Sequence, residues 1–261
     1  MTRITDGSRA VRFDSLTAEE PLEIRVGGRS LAVTMRTPGN DYELAAGFLV
    51  SEGLVAGGGD IARIGYCPGQ DGQEFNVLDV TLAPGVPAPP AEAARPCVST
   101  SSCGLCGKAG IETVRIRSRH DVAADPLAVP AALLCELPDR LRAAQPVFER
   151  TGGLHAAGLF DATGDLVCLR EDVGRHNAFD KVIGWAALAG RLPLTSHAIL
   201  ASGRASFELT QKALMAGIPL LAAVSAPSGL AVELAEEAGM TLVGFLRGRT
   251  MNVYAGEHRV V

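Results

Sequence analysis

Over roughly residues 110–261 this sequence predicts a three-layer α/β fold, and three observations carry that expectation. Ala198 to Ala201, Pro219 to Val224 and Thr241 to Leu246 are short and apolar throughout, as strands covered on both faces are. Helical stretches alternate with them at Phe207 to Met215 and Leu230 to Ala238, the order that builds a parallel sheet between helices. The chain is 47% hydrophobic and 20% charged with mean hydropathy +0.20, so it has ample material for a core. A smaller, mostly β portion is expected ahead of this unit.

In that first portion Leu22, Ile24 and Val26 alternate with Glu23 and Arg25, Gly27-Gly28 follows, and Leu31, Val33 and Met35 alternate again. This is a hairpin with the glycine pair at its turn. Asn40 or Asp41 can cap a following helix carrying Leu44 and Phe48. A strand from Asn76 to Leu82 precedes Pro84, Pro87, Pro89 and Pro90, a cluster that suits a linker rather than a sheet interior. Later, Leu154 to Phe160 and Leu166 to Leu169 read as strands around a turn at Asp161 to Gly164, and a helix runs from near Gly174 to Leu188. No internal repeat is evident. The organisation expected is therefore a mostly β portion over 1–95, a mobile thiol loop over 96–109, and the α/β domain over 110–261.

With 261 residues the chain can form one large or two modest domains. A net charge of -5, with one Trp, three Tyr and eight Phe, argues against nucleic acid, which needs a basic footprint and stacking rings. The start, Met1 to Asp6, has no apolar run and so no secretory signal. Ala213 to Val232 carries no charge, but Gly217, Pro219, Pro227 and Gly229 break it, so a helix end, a strand and a new helix are expected there rather than a membrane span. Six cysteines without a signal fit a reducing cytoplasm.

The thiols of Ser102-Cys103-Gly104-Leu105-Cys106-Gly107-Lys108 stand two residues apart among glycines, after Ser99 to Ser102. No apolar periodicity nearby would bury them, and glycine allows the backbone positive φ, so a solvent-reachable loop is expected. This spacing supports dithiol–disulfide cycling, half of a zinc site, or a persulfide, each of which needs thiolate that Lys108 and backbone N–H groups favour. Zinc lacks two further ligands at suitable spacing: Cys97 is alone upstream, and His155 and His176 are distant in sequence. Cys135 and Cys168 read as small buried hydrophobes, and Cys67 lies in a loop.

A second constellation suits an anionic ligand. Ser202-Gly203-Arg204-Ala205-Ser206 follows one strand and opens a helix, as does Arg170 to Asn177 after another. Phe245-Leu246-Arg247-Gly248-Arg249-Thr250 ends the last parallel strand with two arginines around a glycine. In an open α/β sheet ligands bind beyond the strands' carboxyl ends, where these three segments would gather. Together they point to a phosphate-bearing, nucleotide-like ligand; no Walker A or dinucleotide fingerprint is present.

S-C-G-L-C-G-K (102–108), E-D-V-G-R-H-N-A-F-D-K (171–181), S-G-R-A-S-F-E-L (202–209) and G-F-L-R-G-R-T-M-N-V-Y (244–254) together resemble the FdhD family, over most of the chain and in the same order. The resemblance implies a cytidine deaminase-like α/β fold without deaminase chemistry, since H-x-E is missing and Ser102 stands where a proline would precede the thiols. It implies a sulfurtransferase that takes sulfur from a cysteine desulfurase and passes it to the molybdenum (or tungsten) bis-molybdopterin guanine dinucleotide cofactor of formate dehydrogenase. It implies Cys103 as the persulfide carrier with Cys106 as companion, cofactor contacts at Phe245, Leu246, Arg247, Gly248, Arg249 and Thr250, no metal of its own, and a homodimer. The residues also leave open a thiol-disulfide oxidoreductase, or a chaperone that only binds and delivers the cofactor.

Overall fold

The computed structural model describes residues 1–67, 75–93, 116 and 118–261, so Cys97, Cys103, Cys106 and Lys108 lie outside the described residues. In chain order the elements are β1 (Thr2–Thr5), β2 (Ser8–Val11), β3 (Glu20–Val26), β4 (Arg29–Arg36), α1 (Asp41–Ser51), β5 (Ile61–Tyr66) and β6 (Val77–Leu82). The second part holds α2 (Ala131–Ala143), α3 (Pro146–Thr151), β7 (His155–Asp161), β8 (Leu166–Asp172), α4 (Arg175–Leu188), β9 (His197–Ala201), α5 (Phe207–Met215), β10 (Leu220–Ala223), α6 (Gly229–Glu237), β11 (Thr241–Arg247) and β12 (Thr250–Ala255).

The first part forms a four-stranded sheet, β4-β3-β6-β5, around the antiparallel hairpin read from its alternation. The second forms a six-stranded sheet, β12-β11-β10-β9-β7-β8. Within it β9, β10 and β11 are parallel, β7 runs against β9, and β8 runs against β7. The segment around Asp161 to Gly164 is thus a hairpin turn, and β7 in the interior and β12 at the edge run against the other four strands. β10 is only four residues and wholly buried, as a strand sandwiched between helices must be.

Helices cover both faces of the six-stranded sheet, which gives the expected three layers. On one face α2 packs Leu134, Leu137 and Leu141 against Phe160, Leu200, Leu220, Val243 and Leu246. On the other, Phe179, Val182 and Ile183 of α4, Leu209 of α5 and Ala231 of α6 join a core that continues through Leu44 and Leu49 of α1 to Leu22, Ile24, Leu78 and Val80 of the four-stranded sheet. The two sheets therefore share one apolar interior, with α1 and α4 between them.

Glycine decides how closely those helices approach. A Cβ on Gly47 would run into the Asp180 carbonyl, and one on Gly184 into the Glu43 carbonyl, so the α1 and α4 backbones touch. Ion pairs tie α4 to its other neighbours: Lys181 Nζ lies 2.7 Å from Asp172 Oδ2 of β8 and donates to the Thr37 carbonyl, while Lys212 Nζ of α5 lies 2.7 Å from Asp180 Oδ1. All four ionic groups are buried, and each charge has its partner.

The structure departs from the sequence reading at several points. Asn40 precedes α1 in a left-handed conformation (φ 57°) without a side-chain cap, and Asp41 instead turns inward to pair with Arg36 at 3.0 Å. Cys135 is half-buried on α2, whereas Cys168 is buried as expected, which pushes its thiol up to about 11. A repeat is also present: α5 and α6 are both nine residues, start 22 positions apart, and follow serines of matching conformation, φ/ψ -90°/165° at Ser206 and -86°/157° at Ser228. The sequence hides it because only a few small residues recur. Among the described residues no helix is long and apolar enough to cross a membrane; Ala213 to Val232 is divided among α5, β10 and α6.

Candidate functional site

The parallel strands β8, β9, β10 and β11 end on one edge of the sheet, and β7 begins there with His155. The three sequence segments do share this edge, but they follow the sixth, fourth and second strands in sheet order. At ~4.8 Å per strand they spread over ~19 Å, a long rim rather than one compact pocket.

The segment Arg170 to Asn177 is mostly internal wiring, which corrects its reading as anion-binding machinery. Arg170 forks onto Glu43 of α1, its Nη2 donating to Oε1 at 2.7 Å. Glu171 accepts from the Val147 and Phe148 amides at 3.1 and 2.7 Å, satisfying the start of α3. Asp172 accepts from the Thr37 and Gly174 amides and from Asn177 Nδ2, besides its Lys181 pair. These side chains join β8 to α1, α3 and β4, and their oxygens and guanidinium are already engaged.

Phe245 to Thr250 is built differently. The β11–β12 ladder slips between Gly244 and Arg247, and Phe245 sits in this bulge with φ 50°, a left-handed conformation that costs a bulky side chain energy. Its amide donates to the Ser225 carbonyl at 3.1 Å, tying the bulge to the loop after β10. Arg247 lays its guanidinium 5.6 Å from the Phe245 ring centroid, and Gly248, at φ 57°, turns the chain back into β12. Residues 247–250 are exposed, and neither Arg247 nor Arg249 forms an ion pair among the described residues. Leu246, by contrast, is fully buried beneath the turn and anchors it to the core.

A third feature escaped sequence reasoning. On the loop after β9 and the first turn of α5, Ser206 Oγ stands 3.5 Å from His176 Nε2, and Glu208 Oε2 lies 3.9 Å from the same nitrogen. His155 is close by: a Cβ on Gly203 would lie 3.4 Å from its Nδ1, an ordinary contact distance, so the loop rests beside the imidazole. Burial, helped by Arg175 and by the rings' mutual repulsion, holds the His155 pKa below the usual histidine value. Burial also lowers His176; Lys212 and Arg175 act the same way while Glu208 opposes. For Glu208 burial acts upward, yet His176, Ser206 and its own N–H outweigh it and hold the carboxyl down to about 2. The site thus sets a neutral imidazole beside an ionised carboxylate. His176 and Glu208 each lie in a motif quoted from the sequence, but nothing local signals that residues 32 positions apart meet.

The chain bearing the thiols rejoins the described structure near this cluster. The Ile116 amide donates to Gln211 Oε1 at 3.2 Å, and Gln211 stands one helical turn beyond Glu208 on α5.

The FdhD/NarQ family model matches residues 17–261. A protein named sulfur carrier protein FdhD from Streptomyces avermitilis is 60% identical over 99% of this chain and 93% of its own length. One of the same name from Mycolicibacterium paratuberculosis is 57% identical over 100% and 97%. A crystal structure described as a formate dehydrogenase accessory protein from Desulfotalea psychrophila superposes with TM-score 0.77 at 26% identity, covering 100% of this chain and 97% of that one. Fold and near-complete alignment agree: the chain belongs to the FdhD/NarQ family.

Proposed function

We propose that this protein is a sulfur carrier for formate dehydrogenase maturation. It takes sulfur from a cysteine desulfurase as a persulfide on Cys103, with Cys106 assisting. It then passes the sulfur to the molybdenum bis-molybdopterin guanine dinucleotide cofactor, which it binds as substrate. The relatives' name supports the carrier role. The geometric support is the exposed Arg247-Gly248-Arg249 turn, whose guanidinium groups have no carboxylate partner among the described residues. Guanidinium groups at the carboxyl rim suit phosphates, and the Phe245 ring beside them offers an apolar face to a purine or pterin.

Carrier chemistry asks for a thiolate that can travel between donor and acceptor. A cytoplasmic location and a homodimer belong to the same reading.

Incubation with a cysteine desulfurase and cysteine should add one sulfur atom to the intact mass, mapped to the peptide holding Cys103. The Cys103→Ala variant should stay folded and gain none. A dithiol that cycles with thioredoxin yet never takes sulfur would make the protein an oxidoreductase. Enzyme maturation that survives loss of both thiols would make it a delivery chaperone.

A further inference from the structure

The start of the chain stands apart from the body as an arm. Among the described residues β1 and β2 pair only with each other, in a register running from Thr2 opposite Val11 to Thr5 opposite Ser8. Every residue from Met1 to Leu16 is exposed, and the chain enters the body at Thr17, whose hydroxyl donates to Thr151 Oγ1 at 2.9 Å. The arm lies ahead of residues 17–261, the span shared with the family model.

An isolated two-stranded hairpin is at best marginally stable in water, and it gains stability when an apolar side packs against a helix. This hairpin has such a side. Residues opposite each other share a face, so Ile4 and Val11 stand together with Thr2 and Arg9, while Arg3 and Ala10 face the other way. Ile4 is 62% exposed and Val11 86%, and the exposed Phe13 and Leu16 extend the apolar surface toward the root. Arg3, Arg9 and Arg12 outnumber Asp6 and Asp14, so the arm is basic on a chain whose net charge is -5.

A complementary surface lies on α6. This helix buries Ala231 and Ala235 and turns Leu230 outward, 50% exposed, beside the exposed Glu233, Glu236 and Glu237, with no basic residue in its sequence. A leucine bordered by carboxylates matches an isoleucine and a valine bordered by guanidinium groups. The arm, exposed throughout, does not cover α6 of its own chain. A second copy carries both the helix and another arm, so a two-fold exchange makes the same contact twice.

We infer that the N-terminal hairpin is an exchanged arm that packs on α6 of a second copy of this chain. The inference rests on the homodimer that belongs to the sulfur-carrier reading.

The test is sedimentation equilibrium of the full chain in reducing buffer, reading the dimer dissociation constant. Ile4→Ser with Val11→Ser should raise that constant ~100-fold, because each change acts in both arms, and should leave Tm unchanged because both side chains are exposed. Arg3→Glu with Arg9→Glu should weaken the dimer, as should Glu236→Lys with Glu237→Lys, whose lysines suit the end of a helix. Mixing these two charge-reversed proteins should restore the dimer, since every arm then meets an α6 of opposite sign. A constant unchanged in the Ile4 and Val11 variant places the dimer contact elsewhere and overturns the inference. A mixture no tighter than its two components shows that the arm does not meet α6, and overturns it too. A parent that stays monomeric removes the homodimer as well as the exchange. A dimer that ignores the arm removes the exchange alone, so the two failures are distinct.

Discussion

At the scale of single residues, the rim divides into side chains already satisfied and side chains left available. Arg170, Glu171 and Asp172 belong to the first group, and Arg247 and Arg249 to the second. A charge-assisted bond to phosphate contributes ~1.5–3 kcal/mol, so Arg249→Ala should weaken GDP binding by roughly 10- to 100-fold in a calorimetric titration. Unchanged affinity would remove the arginine turn from the site. Acid should also destabilise the fold through the neighbouring pair. Burial keeps the folded His176 pKa below that of the unfolded chain, so below neutrality the unfolded state binds the extra proton and stability falls. Glu208 adds to the loss at lower pH, as its carboxyl titrates from 4.5 in the unfolded chain toward about 2 in the folded one. Thermal melts from pH 7 to 4 should show a falling Tm, with a shallower upper part in His176→Gln; a flat parent profile would contradict the burial argument. The arginine turn was legible because two like charges around a glycine stand out in any sequence. The His176–Glu208 contact was not, because through-space proximity leaves no trace in spacing.

At the scale of elements, the most consequential contact is the crossing of α1 and α4, where Gly47 and Gly184 remove every side-chain atom from the point of closest approach. Gly184→Ala should destabilise the protein by ~3 kcal/mol, since its methyl meets a backbone carbonyl that cannot rotate away. Chemical denaturation measures this, and a loss below ~1 kcal/mol would show that the helices can part. Most interior elements were visible beforehand. Apolar runs bounded by glycine or proline gave β9, β10, β11, α5 and α6 almost to the residue. Edge strands were harder: β5 and β12 each have one free side and expose much of their length, so alternation is weak. Pro138 inside α2 interrupts the pattern by which that helix would be recognised in the sequence. The antiparallel insertion of β7 was also unreadable, because a buried strand's residues look alike whichever way it runs.

For the whole molecule, a continuous core joins the four-stranded sheet to the six-stranded one through α1 and α4. Lys181 and Asp172 lie at that junction, 2% and 0% exposed at the side chain, and bind the Thr37 segment from both its carbonyl and its amide. Lys181→Met should cost ~3–5 kcal/mol by stranding the Asp172 charge, while Lys181→Met with Asp172→Asn, which removes that charge but keeps an oxygen for the neighbouring amides, should recover part of it. Equilibrium unfolding of the three proteins settles whether the pair is coupled, since additive losses would mean it is not. The shared interior also bears on how the gene can be dissected. Residues 1–93 and 116–261 are complementary halves of one object, each presenting a large greasy face to water when alone. Cutting the coding sequence between them and co-expressing the pieces should reconstitute the protein, in the manner of a split reporter, whereas either piece by itself should aggregate.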